Sequence, residues 1–218
     1  PPPPPPSPPP SPPSPPPLFL TSLVEYATQP KLYASDAAVD DYFGVSVSLY
    51  GDTALIGATG DDDNTQSKSG SVYVFTRSST DGTFTQQSKL HANDAAASDQ
   101  FGVAVSLYGE TALIGADADD DNGKSTSGSV YVFTRSSTDG GTFTQQSKLH
   151  ASDAAVGDSF GRSVSLYGDT ALIGAEFDDD NGKSASGSVY VFTRSSTDAG
   201  TFTQQSKLHA SDAAVGDS

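Results

Sequence analysis

The sequence predicts an all-β protein, an incomplete β-propeller made of tandem four-stranded antiparallel blades. It reads as three full repeats plus one extra strand, preceded by a Pro-rich polyproline II segment. Three observations carry that expectation. Phe-Gly pairs recur at Phe43-Gly44, Phe101-Gly102 and Phe160-Gly161, 58 and 59 residues apart. Between them lie four short stretches of strand length, and none has the 3.6-residue period of a helix. Units this small cannot bury both faces of a sheet alone, so they must stack on their neighbours.

The elements follow in chain order. Residues 1–17 are Pro and Ser only. Proline fixes φ and lacks a backbone donor, so this stretch is expected to be a stiff spacer rather than part of a core. A docking ligand for an aromatic-lined groove is the sharper reading. Residues 18–30 read as a linker with a partial strand of a preceding repeat. Residues 31–88, 89–147 and 148–206 form repeats 1 to 3, and 207–218 begin a truncated next repeat. In the first repeat, Gly44 to Tyr50 alternates Val and Leu with Ser, as a half-buried strand does. Gly51-Asp52 suits a two-residue primed turn. Thr53 to Gly57 is mostly apolar and expected to be buried on both faces. A polar loop from Thr59 to Ser69 precedes a third strand, Ser71 to Thr76. A turn at Ser78 to Gly82 leads to a fourth, Thr83 to Leu90, and the loop Asp94 to Gln100 returns to the next Phe-Gly. An array cut at three blades and one strand cannot close, so its end blades are expected to expose apolar faces, giving an open arc or self-association unless further sequence completes it.

The order Phe43-Gly44, then Leu55-Ile56-Gly57-Ala58, then Gly70-Ser71-Val72-Tyr73-Val74-Phe75 recurs from Phe101 and from Phe160. This pattern, over about residues 31–218, resembles the FG-GAP repeat, the blade module of integrin α-chain propellers and many extracellular proteins. The resemblance implies a non-catalytic recognition or adhesion module outside the cell. One departure matters. In integrin-type repeats the calcium loop lies between the first and second strands, where this chain has only the tight Tyr50-Gly51-Asp52-Thr53 turn. The family's calcium site is therefore not carried over.

Composition narrows the function classes. The chain has 218 residues, a formal net charge of −16 and no Cys, Met or Trp. Without Cys there is no disulfide scaffold, thiolate zinc site or Cys nucleophile. The acidity disfavours nucleic acid, whose phosphates need clustered Lys and Arg. No apolar stretch in the chain is long enough to span a bilayer. The first residue is Pro and no signal peptide of the usual layout is visible, so the natural N-terminus is expected to lie upstream. The Ser-Pro-Pro tracts resemble the hydroxyproline-rich spacers of algal and plant wall glycoproteins, which also suggests an extracellular or cell-surface setting.

Antiparallel strands send the second-to-third and fourth-to-first loops to one face, and most of the 27 acidic residues fall in those loops. Ca²⁺ favours closely spaced carboxylates, amides and carbonyls, with Gly to let the backbone curl. Asp117, Asp119, Asp121 and Asn122 before Gly123 supply such a set. Glu176, Asp178, Asp180 and Asn181 before Gly182 are its equivalent. These are the candidate Ca²⁺ loops, and Ca²⁺ is the one cofactor considered. The competing reading is a solvated loop whose Asp and Asn cap turns. His91, His150 and His209 recur once per unit, which fits packing or an edge role. Two further functions stand as alternatives. One is a structural wall or spacer protein without a specific ligand. The other is a glycan-processing enzyme, suggested by the loose resemblance of Ser137–Phe143 and Ser196–Phe202 to the Asp-box turn of sialidase-type propellers. Such an enzyme needs an arginine cluster for the substrate carboxylate, whereas Arg77, Arg135 and Arg194 repeat at strand ends and Arg162 stands alone. The expected partner is a protein or glycan on the acidic loop face.

Overall fold

The computed structural model describes residue 1 and residues 31–62, 66–136, 141–179, 182–195 and 201–211. The Pro/Ser segment, the partial strand within 18–30 and the two Asp-box-like turns lie outside the described residues, wholly or in large part.

Among the described residues, twelve strands form three separate four-stranded antiparallel sheets, each in plain meander order. Blade 1 comprises β1 (Val47–Tyr50), β2 (Thr53–Ala58), β3 (Ser71–Arg77) and β4 (Phe84–Leu90). Blade 2 comprises β5 (Val105–Tyr108), β6 (Thr111–Ala116), β7 (Ser129–Arg135) and β8 (Phe143–Leu149). Blade 3 comprises β9 (Phe160–Tyr167), β10 (Thr170–Ala175), β11 (Ser188–Arg194) and β12 (Phe202–Leu208). The four-strand expectation holds in every unit. The first strand is shorter than expected in blades 1 and 2. Gly44 turns to φ +96°, yet its N–H still donates to the Gly57 carbonyl and Ser46 still accepts from Gly57. The segment is thus paired around a bulge rather than unpaired. A second bulge recurs between Val74 and Phe75, Val132 and Phe133, and Val191 and Phe192, where the third strand meets the fourth.

The core lies between blades, as a propeller requires. Leu55, Val72, Val74 and Leu90 of blade 1 bury against Phe101, Leu107, Ile114 and Phe133 of blade 2. Leu113, Val130, Val132 and Leu149 of blade 2 repeat that contact with Phe160, Leu166, Ile173 and Phe192 of blade 3. The second strand of the middle blade is consequently buried at all six residues. Each Phe of the Phe-Gly pair meets the Tyr and Phe of its own third strand edge-on, as in Phe101 with Tyr131 at 5.4 Å and Phe133 at 6.0 Å.

Polar bonds reinforce the same junctions. Arg135 donates to Thr53 Oγ1 of the preceding blade at 2.7 Å, and Arg194 to Thr111 Oγ1 at 2.6 Å. Leu107 N–H donates to Ser48 Oγ at 3.0 Å and Leu166 N–H to Ser106 Oγ at 2.9 Å. The alternating serines of the first strand therefore serve the next blade rather than solvent. Tyr50, Tyr108 and Tyr167 form a ladder across the three blades, with ring centres 5.2 and 5.1 Å apart.

Candidate functional site

The loops between second and third strands and those between fourth and first strands lie on one face, as strand alternation dictates. The loop that enters blade 2 and that blade's own second-to-third loop line an open cleft of about 640 Å³, with Asp94, Asp99, Asp119, Asp120, Asp121 and Lys148 among its walls.

The triple-Asp run in each loop divides its labour by position. The first Asp points inward. Asp119 is buried and accepts from Ser129 Oγ at 2.6 Å, while Lys148 Nζ lies 2.9 Å away. Tyr131 OH reaches the same carboxylate at 3.4 Å. Lys148 also holds Asp94, from the loop that enters blade 2, at 2.8 Å. Blade 1 repeats the arrangement with Asp61, Ser71, Tyr73, Lys89 and Asp36, and blade 3 with Asp178, Ser188, Tyr190, Lys207 and Asp153. Each ammonium also sits 5.2–5.4 Å from the centre of its tyrosine ring. The second Asp caps the loop: Asp120 Oδ1 accepts from Thr126 N–H at 2.7 Å, Asp62 from Lys68 N–H and Asp179 from Ala185 N–H.

The charges respond to one another as the geometry requires. Burial opposes the charged form of Lys148, but hydrogen bonds and the charges of Asp94 and Asp119 outweigh it and hold the ammonium above the ordinary lysine range. Lys89 and Lys207 behave alike. Asp94, Asp36 and Asp153 are partly desolvated, yet their lysine partners pull them below the ordinary aspartate range. Burial and the neighbouring carboxylates push the three tyrosines far up, so they stay protonated donors. Three buried carboxylates go the other way: burial raises Asp117 and Asp158 above the ordinary aspartate range, and Asp99 with them. Asp99 is buried and accepts Ala96 N–H at 2.6 Å; that bond and the Lys148 charge do not offset its burial and the Asp119 charge, so it rises to about 6.

The eight candidate Ca²⁺ ligands fall into different places. Asp119 and Asp178 belong to the lysine networks. Asp121 starts a one-turn 3₁₀ segment, Asp121–Gly123, and accepts from Asn122 Nδ2 at 2.6 Å, with His150 Nδ1 at 3.7 Å. Asp117 and Glu176 face each other across the blade 2–3 junction, both held by Arg162 at 3.3 and 3.2 Å. Asp180 and Asn181 lie outside the described residues. No group of three or more acidic or His side chains among the described residues is arranged to hold a metal. The loops themselves carry Lys68, Lys124 and Lys183. The lysines that neutralise the buried carboxylates come instead from the ends of the fourth strands. Their recurrence in Lys89-Leu90-His91, Lys148-Leu149-His150 and Lys207-Leu208-His209 was the available signal.

The arginines resolve as structure. Arg77, Arg135 and Arg194 pair with Asp52, Glu110 and Asp169 of their own first hairpins and form no cluster.

The fold is that of an incomplete propeller, and its junctions rest on the residues that recur in the sequence. The FG-GAP repeat family matches residues 26–75, 84–133 and 143–192, and the chain belongs to that family. Each of the last two matches starts on one blade's fourth strand and ends on the next blade's third strand, so the family's unit straddles the blade junction. No curated protein matches the sequence. Among solved structures, Saccharomyces cerevisiae Sqt1 is similar at a TM-score of 0.48 and 11% identity, over 80% of this chain and 38% of that one. Among the described residues, no helix is long and apolar enough to cross a membrane.

Proposed function

We propose that the protein is a non-catalytic recognition module acting outside the cell or at its surface, through the acidic loop face. The observation that carries this reading is the cleft between the two loops of blade 2. Its buried Asp119 is neutralised by Lys148, while Asp120 and Asp94 remain on the rim at the surface. A rigid acidic rim around a satisfied network suits a basic protein loop or an amine-bearing glycan, because the partner's cation meets charges that need no reorganisation. Membership of a repeat family typical of extracellular recognition proteins supports the same reading.

In each network a lysine ammonium stands where a bridging cation would, between two carboxylates. Ca²⁺ would therefore be kept from Asp119 and Asp178, and Asp121 and Glu176 are already paired with Lys148 and Arg162 in loops of different blades. The test is binding of the full chain to immobilised oligolysine and to chitosan oligomers, with Ca²⁺ or with chelator. Asp120→Asn/Asp121→Asn/Asp179→Asn protein is expected to bind at least tenfold more weakly. Equal binding by the variant, or none by the parent, would leave the chain a spacer. Calorimetric heats with Ca²⁺ that are unchanged in the variant would remove the ion from the scheme.

A further inference from the structure

The three blades are nearly the same sequence, and their differences gather in the loops of the acidic face. The third and fourth strands are identical residue for residue in all three. The identity includes side chains that face solvent, such as Thr85, Thr144 and Thr203, and Gln87, Gln146 and Gln205. Exposure alone therefore does not account for the positions that vary.

Where the blade 1 loops meet the loop that enters blade 2 there is a hollow of about 180 Å³, lined by Tyr42, Thr59, Gly60, Lys68, Ser98 and Gln100. Every one of these stands at a position that changes along the chain. Tyr42 gives way to Gln100 and Ser159, and Thr59 to Asp117 and Glu176. Gly60 gives way to Ala118 and Phe177, and Lys68 to Thr126 and Ala185, while Ser98 stands where Asp40 and Gly157 do. Gly60 is required here: a Cβ on it would overlap the Asp40 carbonyl and press on the Tyr42 ring.

Lys68 gives the hollow a chemistry unlike the rest of the face. Its backbone N–H donates to Asp62 at 2.8 Å, which helps hold the residue at φ +53°, and among the described residues its ammonium makes no ion pair. The fourth-strand lysines, by contrast, are each engaged by two carboxylates. No carboxylate lines the hollow, and the Thr59 and Ser98 hydroxyls, the Gln100 amide and the Tyr42 ring surround the lysine. An ammonium with hydroxyl and amide donors beside it suits a carboxylate. The matching place between blades 2 and 3 holds Asp117, which Arg162 pairs, so the lysine hollow is particular to one junction. The surrounding negative charge would repel a lone anion. Ser98 and Gln100, however, are walls of the acidic cleft as well. The two sites are contiguous, and a partner bearing both charges meets both.

We propose that the hollow is a carboxylate subsite, and that its partner is an extended protein segment with a basic and an acidic side chain two residues apart. The assignment rests on the cleft of blade 2 binding a cation and adds the group beside it. Two such side chains lie on the same side of an extended chain, about 7 Å apart. The basic one enters the cleft beside Asp94 and Asp120, and the acidic one reaches Lys68.

Fluorescence anisotropy of the full chain with two labelled peptides tests this, one repeating Lys-Ser-Glu-Ser and the other Lys-Ser-Gln-Ser. Net charge alone favours the second, because the chain carries −16. The subsite predicts the reverse: the glutamate peptide is expected to bind at least threefold more tightly. Lys68→Thr introduces the residue found at the same place in blade 2, at nearly the same backbone angle (φ +50° at Thr126), so the fold accommodates it. In that variant the order is expected to invert, with the glutamine peptide bound at least as tightly as by the parent. A parent that prefers the glutamine peptide, or a glutamate preference that survives Lys68→Thr, would overturn the subsite and leave the cleft standing. Binding of neither peptide to the parent would remove the cleft, and the subsite with it.

Discussion

Asp99 carries the clearest consequence at the scale of one side chain. An ordinary aspartate titrates near 3.8, whereas this one is held near 6 by burial, against the pull of the Ala96 N–H. The folded chain therefore binds a proton more tightly than the unfolded chain between those values. The stability that this proton contributes is complete below about pH 3.8 and is lost as pH rises through 6. Asn at this position keeps an oxygen for Ala96 and carries no charge. Asp99→Asn is expected to be more stable than the parent by about 1–2 kcal/mol at pH 7.5, from a shift of roughly two pH units at 1.36 kcal/mol each, discounted for relaxation. The advantage should shrink toward zero at pH 4. Melting temperatures of the two proteins across that range decide it, and a constant offset would refute the assignment. Asp36, Asp94 and Asp153 have the opposite sign: lowered in the fold, they contribute stability at neutral pH that is lost on acidification.

At the scale of an element, the fourth strand does more than complete a sheet. β4, β8 and β12 each end by delivering a lysine to one buried and one surface carboxylate. Removing Lys148 would leave Asp119 buried with only hydroxyl donors, and stranding one member of a buried pair is the costly case. Lys148→Met is expected to lose about 2–4 kcal/mol by urea denaturation. If Asp119→Asn in the same chain restores none of that loss, the pairing is not what Lys148 contributes. The strand itself was legible from Phe143-Thr144-Gln145-Gln146-Ser147-Lys148-Leu149 as a polar-faced edge. The destination of its lysine was not, because alternation assigns a residue to a face and does not say which loop from another part of the chain lies above it. The same limit made the first-strand serines look solvent-directed, although Ser48 and Ser106 accept from the following blade.

At the scale of the whole molecule, stability should be uneven, because blade 2 is covered on both faces and blades 1 and 3 on one. Interface terms dominate in stacked repeats. Amide exchange in β6 and β7 is expected to be at least tenfold slower than in β2 and β10. Uniform protection would mean that the blades do not depend on one another for cover. The blade count, strand order and exposed ends could all be read from the Phe-Gly spacing, since period and alternation are properties of the sequence itself. The interface chemistry was less accessible. Gly115 reads as a strand weakener until the Gly161 backbone is placed against it.

The tyrosine ladder gives the stack an optical property. Tyr50, Tyr108 and Tyr167 bring one phenol from each blade to within 5.2 Å of the next, and the chain has no tryptophan to mask them. Rings that close couple their transitions, so the near-ultraviolet dichroism and the depolarisation of tyrosine emission report the spacing between blades without any label. Slippage of one blade past its neighbour would dim that signal before the far-ultraviolet spectrum of the strands changed at all.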